Sequence, residues 1–193
     1  TPIKSSAASD VYKRQNVETV TVSTEAELKA ALDNANIETI VLGDDITTTE
    51  KINVTRPVTI DGNDKTLTGT DAIGWKGNYV LQVYGDGLKA TIKNITLTGG
   101  DAGLLVNGST VTLEGNINVS GNEFGGIEVS KGEGVSNGGS LTIADGATVV
   151  NTSESYGKPT VWIDGKDGGT VEGGNFTTST TCLLYTSDAA DDL

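Results

Sequence analysis

Apolar residues in this chain fall mostly in pairs separated by one other position, the two-residue beat of a strand with a buried face. Leu81 and Val83, Leu104 and Val106, Ile127 and Val129, and Val161 and Ile163 form one set, at spacings of 23, 23 and 34 residues. A second set follows: Ala90 and Ile92, Val111 and Leu113, Leu141 and Ile143, then Val171 alone. The third set is Ile95 and Leu97, Ile117 and Val119, Ala147 and Val149, and Phe176. Three strand positions per unit, always in the same order, predict a stacked solenoid in which no unit buries its apolar face alone. An antiparallel sandwich would use similar residues, but strict two-residue hairpin turns are not evident.

Ahead of the repeats lies one helical pattern. Thr24 offers an N-cap, Glu27 stands three positions on as its capping-box partner, and Leu28, Ala31, Leu32 and Ala35 recur at helical spacing. Asn34 and Asn36 offer a stop, and the narrow apolar face of this helix, about residues 24–35, predicts a cap over an open core. Short β runs at 40–42, 52–54 and 58–60 follow, broken by Gly43, Asp44, Pro57, Asp61 and Gly62. Two insertions lengthen later units: 131–139 (KGEGVSNGG), expected to bulge outward, and 152–158, which carries Tyr156.

Composition agrees with strands and turns: glycine, threonine, asparagine and valine dominate, and methionine is absent. The two ends stand apart from the rest. Residues 5–15 (SSAASDVYKRQ) can be written in codons whose opposite strand, shifted by one base, translates as CLLYTSDAAD, the sequence from Cys182 to Asp191. Ends that encode one another resemble transposon-end adapter DNA, so residues 1–15 and 182–193 are expected to be artefact tails around a β-helix fragment at 16–181. Cys182, the only cysteine, then falls outside that fragment, which excludes disulfides and thiolate metal sites within it. Without Lys4, Lys13 and Arg14 the 13 basic residues become 10, and without Asp10, Asp188, Asp191 and Asp192 the 26 acidic ones become 22, a net charge of −12. Such a chain lacks the basic footprint that nucleic acid requires, and no run is long and apolar enough to span a bilayer.

The segment TVSTEAELKAALDNANIETIVLGDDI followed by INVTRPVTIDGNDKTLTG resembles the start of pectate-lyase-like right-handed parallel β-helix domains of bacterial cell-surface proteins. The resemblance covers residues 20–181. It implies an all-β solenoid with a short N-terminal capping α-helix, an extracellular or cell-surface location, and an adhesive surface facing polysaccharide or host glycan. It also touches polysaccharide lyases and glycoside hydrolases, so activity has to be argued from residues.

Catalysis finds little support in those residues. Lyase chemistry wants converging carboxylates around a cation and a basic residue, but Asp164 and Asp167 in IDGKDGG match no calcium loop and read as a turn. Arg56, the single arginine of the fragment, precedes Pro57 at a strand edge and reads as structural. On the stacked units Gln82, Leu105, Glu128 and Trp162 should share one outward row, with Tyr84, Asn107, Ser130 and Asp164 in the next. Glu128 and Asp164 on adjacent coils could make an acid pair for glycoside hydrolysis, although a solvated acidic face explains them as well. Sugar binding fares better: Trp162 and Tyr84 could offer flat faces to sugar rings, with Glu128, Asn107 and Asp164 supplying hydrogen bonds. No cofactor or metal is expected. The expected function is therefore an adhesive display module; the alternative is the front of a polysaccharide lyase or hydrolase whose catalytic coils lie downstream. The last coil, near Phe176, is expected to present an open edge prone to self-association.

Overall fold

A computed structural model describes residues 18–70, 77–152, 159–164, 170–173, 175–178 and 184–186. The chain opens with β1 (Glu18–Val22), α1 (Glu25–Asp33) and β2 (Ile37–Leu42). Two short strands, β3 (Ile46–Thr47) and β4 (Ile52–Val54), precede the long β5 (Val58–Thr68). Short and long strands then alternate through β6 (Leu81–Tyr84), β7 (Lys89–Thr98), β8 (Ala102–Asn107), β9 (Thr110–Asn118) and β10 (Gly125–Ser130). The remainder comprises β11 (Ser140–Ile143), β12 (Thr148–Asn151), β13 (Val161–Asp164), β14 (Thr170–Glu172), β15 (Asn175–Thr178) and β16 (Leu184–Thr186).

Parallel pairing between successive coils builds two sheets. A ten-stranded long sheet runs β1-β2-β5-β7-β9-β11-β14, with β3, β12 and β15 beside that path, and a six-stranded short sheet runs β4-β6-β8-β10-β13-β16. The chain passes from one sheet to the other in each coil, and the inward residues of both merge into a single core holding Leu81, Val83, Ile92, Leu97, Leu113 and Val129. The architecture is an all-β parallel β-helix with one capping helix. Burial of each such Leu or Ile contributes about 1.5–3 kcal/mol, which explains why neighbouring coils hold together although no coil has a core of its own.

Register follows the apolar pairs. Leu81, Leu104, Ile127 and Val161 stack in the short sheet, as do Val83, Val106, Val129 and Ile163, and Ile52 and Val54 extend both rows by one coil. The second set stacks as expected. The third needs a correction: Ile117 pairs with Val149, not Ala147, and Val149 with Phe176. Ile143 aligns with Leu113, so the turn from Ile143 to Val149 carries two more residues than the turn from Leu113 to Ile117. Ala147 is absorbed in that longer corner, where its N–H donates to Ala144 O at 3.0 Å.

The corner of the long sheet is a demanding position. Asn63, Asp64 and Asn94 adopt φ of 50°, 60° and 50°, and Gly115 adopts 64°. A Cβ on Gly115 would lie 2.0 Å from Asn94 Oδ1, so both dihedral and space call for glycine there. Between the sheets, buried Asn122 braces two coils, donating Nδ2 to Leu97 O at 3.0 Å and Val119 O at 2.8 Å and accepting from Gly100 N at 3.0 Å.

Helix α1 carries the expected capping box, with Glu27 N donating to Thr24 Oγ1 and Thr24 N to Glu27 Oε2, both at 3.2 Å. Leu28, Ala31 and Leu32 enter the core, but the helix stops at Asp33 and Ala35 is exposed, outside the apolar face assigned to it. The helix ends at its C-cap Asn34, whose backbone is extended and whose Oδ1 accepts from Asn36 N at 3.1 Å. The Arg56 guanidinium satisfies the carbonyls left at that end, donating to Leu32 O at 2.6 Å and Ala31 O at 2.8 Å. The residues before 18 lie outside the described part. Leu184–Thr186, within the C-terminal tail, pairs in parallel with β13.

Candidate functional site

The outer face of the short sheet holds the residues picked out for sugar binding. Pairing places Gln82, Leu105, Glu128 and Trp162 in one row and Tyr84, Asn107, Ser130 and Asp164 in the next, the order expected from the repeats. Their outward direction follows from the strand alternation, since Val83, Val106 and Val129 between them belong to the core.

Outward does not mean exposed here. Every residue of β8 and β10 is buried, so these two strands are covered on both faces. One cover comes from the β5–β6 connection, whose Tyr79 packs with Ala102 and Leu105 in an apolar cluster outside the main core. Tyr79 Oη donates to Glu128 Oε2 at 2.5 Å, and Glu128 is only 6% exposed, flanked in its row by Leu105 and Trp162.

The second cover is the insertion at 131–139. Rather than bulging into solvent, it folds back across the coils. Gly132 N donates to Asn107 Oδ1 at 2.7 Å and Tyr84 Oη to Glu133 O at 2.7 Å. Buried Val135 packs over Gly108, where an added Cβ would come within 2.7 Å of it. The Asp86 carboxylate then fastens the tip, accepting from Ser136 N at 2.9 Å and Asn137 N at 3.0 Å. These backbone N–H groups, Ser136 first, hold the Asp86 carboxyl below its ordinary range although it is exposed to water. The glycines of KGEGVSNGG make a loop legible; its acceptors sit about 25 to 50 residues earlier and are not.

The five candidates therefore differ in accessibility. Tyr84 and Trp162 are half-buried, Asn107 and Glu128 are buried and hydrogen-bonded, and Asp164 pairs through its backbone with Ser130. Tyr156 and Asp167 lie outside the described residues. Arg56 belongs to the helix cap, on the long-sheet side. No group of three or more metal-ligating side chains occurs among the described residues, and no described helix is long and apolar enough to cross a membrane.

The long sheet presents a different outer face, one that the search for aromatic and acidic residues passed over. Thr19, Thr39, Thr59, Thr91, Thr112 and Thr142 align in unbroken register across six strands. The inward residue after five of them, Ile40, Ile60, Ile92, Leu113 and Ile143, is buried, which turns the hydroxyls outward. Part of this row floors a trough of about 580 Å³, with Thr59, Thr91 and Thr112 on its floor and Glu38, Arg56 and Lys89 among its walls. The signal was present in the sequence as a threonine between the two apolar residues of each second-set strand.

Coil stacking and an N-terminal cap agree with a family match over residues 19–181, to the pectate lyase-like adhesive domain. The chain belongs to that family. No curated protein and no solved structure matches it. In the pectate lyase-like adhesive domain described here, the helix cap and the repeating coils both fall within the matched residues. The chain is thus, in general terms, an adhesive surface module.

Proposed function

We propose that this domain is a non-enzymatic module that attaches an extracellular or cell-surface protein to carbohydrate. The observation that carries this reading is the contrast between its two faces: the short sheet buries Asn107 and Glu128 under the chain's own loops, whereas the threonine row of the long sheet crosses six strands with Thr19 exposed and the other five half-buried. A rigid face of repeating polar groups suits attachment to a repeating polymer, because little conformational freedom is lost on binding.

Both faces retain groups able to meet sugar. On the short sheet Tyr84 and Trp162 keep partial exposure, but Asn107 and Glu128 between them already hold Gly132 and Tyr79, which favours the long sheet. Glu128 is buried and already accepts from Tyr79, which disfavours it as half of an acid pair with Asp164.

Retention on insoluble polysaccharides, assayed together with release of reducing ends and unsaturated products, tests this. Retention without product is expected. Turnover of any bound polysaccharide would replace the adhesive reading with that of a lyase or hydrolase.

A further inference from the structure

We propose that the threonine row of the long sheet is a binding track for an uncharged linear glycan lying along the solenoid axis, one sugar ring to each coil. This deepens the adhesive reading and rests on it.

Four observations support the track. The first is spacing: Thr19, Thr39, Thr59, Thr91, Thr112 and Thr142 sit on successive strands, which repeat every ~4.8 Å, so the row spans about 24 Å. That repeat is slightly shorter than the advance of one pyranose ring in an extended chain, so ring and coil stay in step over two or three units, the extent of the trough.

The second observation is chemical. A threonine hydroxyl both donates and accepts, matching the hydroxyls of sugar, while its methyl offers contact to the C–H face of a ring. Its β-branch also restricts χ1, so the row is ordered before any ligand arrives. The third is shape. The trough of about 580 Å³ over Thr59, Thr91 and Thr112 lies within the size range of ligand sites, with Pro57 and Lys89 among its walls.

The fourth is charge. The chain carries a net charge of −13, yet the six row positions are uncharged. Two residues further along the strands, Lys93 is neutralised by Asp61 at 3.3 Å and paired in register with Glu114, and the row itself gives way to Glu172 after Thr142. Around the trough itself Glu38 stands against Lys89 and against an Arg56 already engaged by backbone carbonyls, so a polyanion would meet Glu38, Glu114 and Glu172 along the track, whereas an uncharged polymer has nothing to repel it.

The test uses the full chain with three probes, cellohexaose, chitohexaose and an acidic hexasaccharide of uronic acid, followed by calorimetry. Thr59→Val, Thr91→Val and Thr112→Val combined keep the β-branch and remove only the hydroxyls. A Trp162→Ala variant reports on the other face, and a thermal unfolding scan verifies that each variant is folded. Binding of an uncharged hexasaccharide, weakened about tenfold or more by the triple change and unaffected by Trp162→Ala, is the expected result. Uncharged binding that responds to Trp162→Ala and not to the triple change overturns the track and leaves the adhesive reading standing. Binding of the acidic probe alone overturns the uncharged class. Binding of none of the three, with retention on every polysaccharide also lost, overturns the track and the carbohydrate reading together.

Discussion

Arg56 Nε donates to the carbonyl oxygen of Leu32 at 2.6 Å, joining the start of the first long strand to the end of a helix 24 residues earlier. A second bond from Nη2 to Ala31 O and a third from Nη1 to Pro57 O spread the guanidinium over three carbonyls. A planar fork of fixed donors suits this geometry and an ammonium does not. Arg56→Ala is expected to destabilise the domain by about 1–3 kcal/mol, and Arg56→Lys to recover only part of it. Urea unfolding of the two variants measures both; full recovery by lysine would mean that charge alone holds the cap.

The buried pair of Tyr79 and Glu128 fastens the β5–β6 connection to the short sheet. Tyr79→Phe and Glu128→Gln should each lower stability, with a coupling of about 0.5–3 kcal/mol in a double-mutant cycle. Additive effects would show that Tyr79 holds its place by packing with Ala102 and Leu105 alone.

Asp86 makes the loop at 131–139 sensitive to acid. Its carboxyl is held low, chiefly by Ser136 N and then Asn137 N, so the folded form binds its proton less readily than the unfolded chain does. The contribution is therefore complete above the ordinary aspartate range and is lost as pH falls through the depressed value. Protection of the Ser136 and Asn137 amides, their exchange relative to an unstructured peptide at the same pH, should fall on that descent, and Asp86→Asn should reproduce the loss of protection at neutral pH. Unchanged exchange at both amides in Asp86→Asn would show that Tyr84 and Gly132 suffice to hold the loop.

Gly115 combines a positive φ with direct contact to Asn94. Gly115→Ala is expected to cost about 1–3 kcal/mol from backbone strain, with further loss from displacing the Asn94 side chain. Gly146, also at positive φ but with open space where a Cβ would stand, should suffer from strain alone. The difference in melting temperature between Gly115→Ala and Gly146→Ala isolates the steric part; equal losses would assign the whole effect to dihedral preference.

Much of the architecture could be read from local pattern. Leu81 with Val83 and Leu104 with Val106 could be stacked in advance because a strand's inward residues recur every second position. Thr24 and Glu27 could be paired because both ends of a capping box lie within one turn. The same local logic failed at Ala147, where two extra residues in a corner shift the pairing without leaving a mark on the alternation. At Ala35 it followed the helical spacing one residue past the C-cap at Asn34.

Accessibility was beyond local pattern. Glu128 and Asn107 are polar residues on an outward row, and sequence offers no means of seeing that Tyr79 and Gly132 come back to cover them. The threonine row shows the converse. Each of its members is an unremarkable strand residue, and only parallel pairing between coils joins them into a surface.

By itself the sequence determined the periodic elements: the strand beat, the order of three strands per coil, the helix start and the acidic balance. These depend on neighbours a few residues apart, where spacing and side-chain type settle the outcome. Tertiary structure alone decided the corner register, the roof over the short sheet and the alignment of the threonines on the long one. Those depend on contacts between residues some 20 to 50 positions apart, whose meeting is governed by the geometry of stacked coils and leaves no periodic trace in the chain.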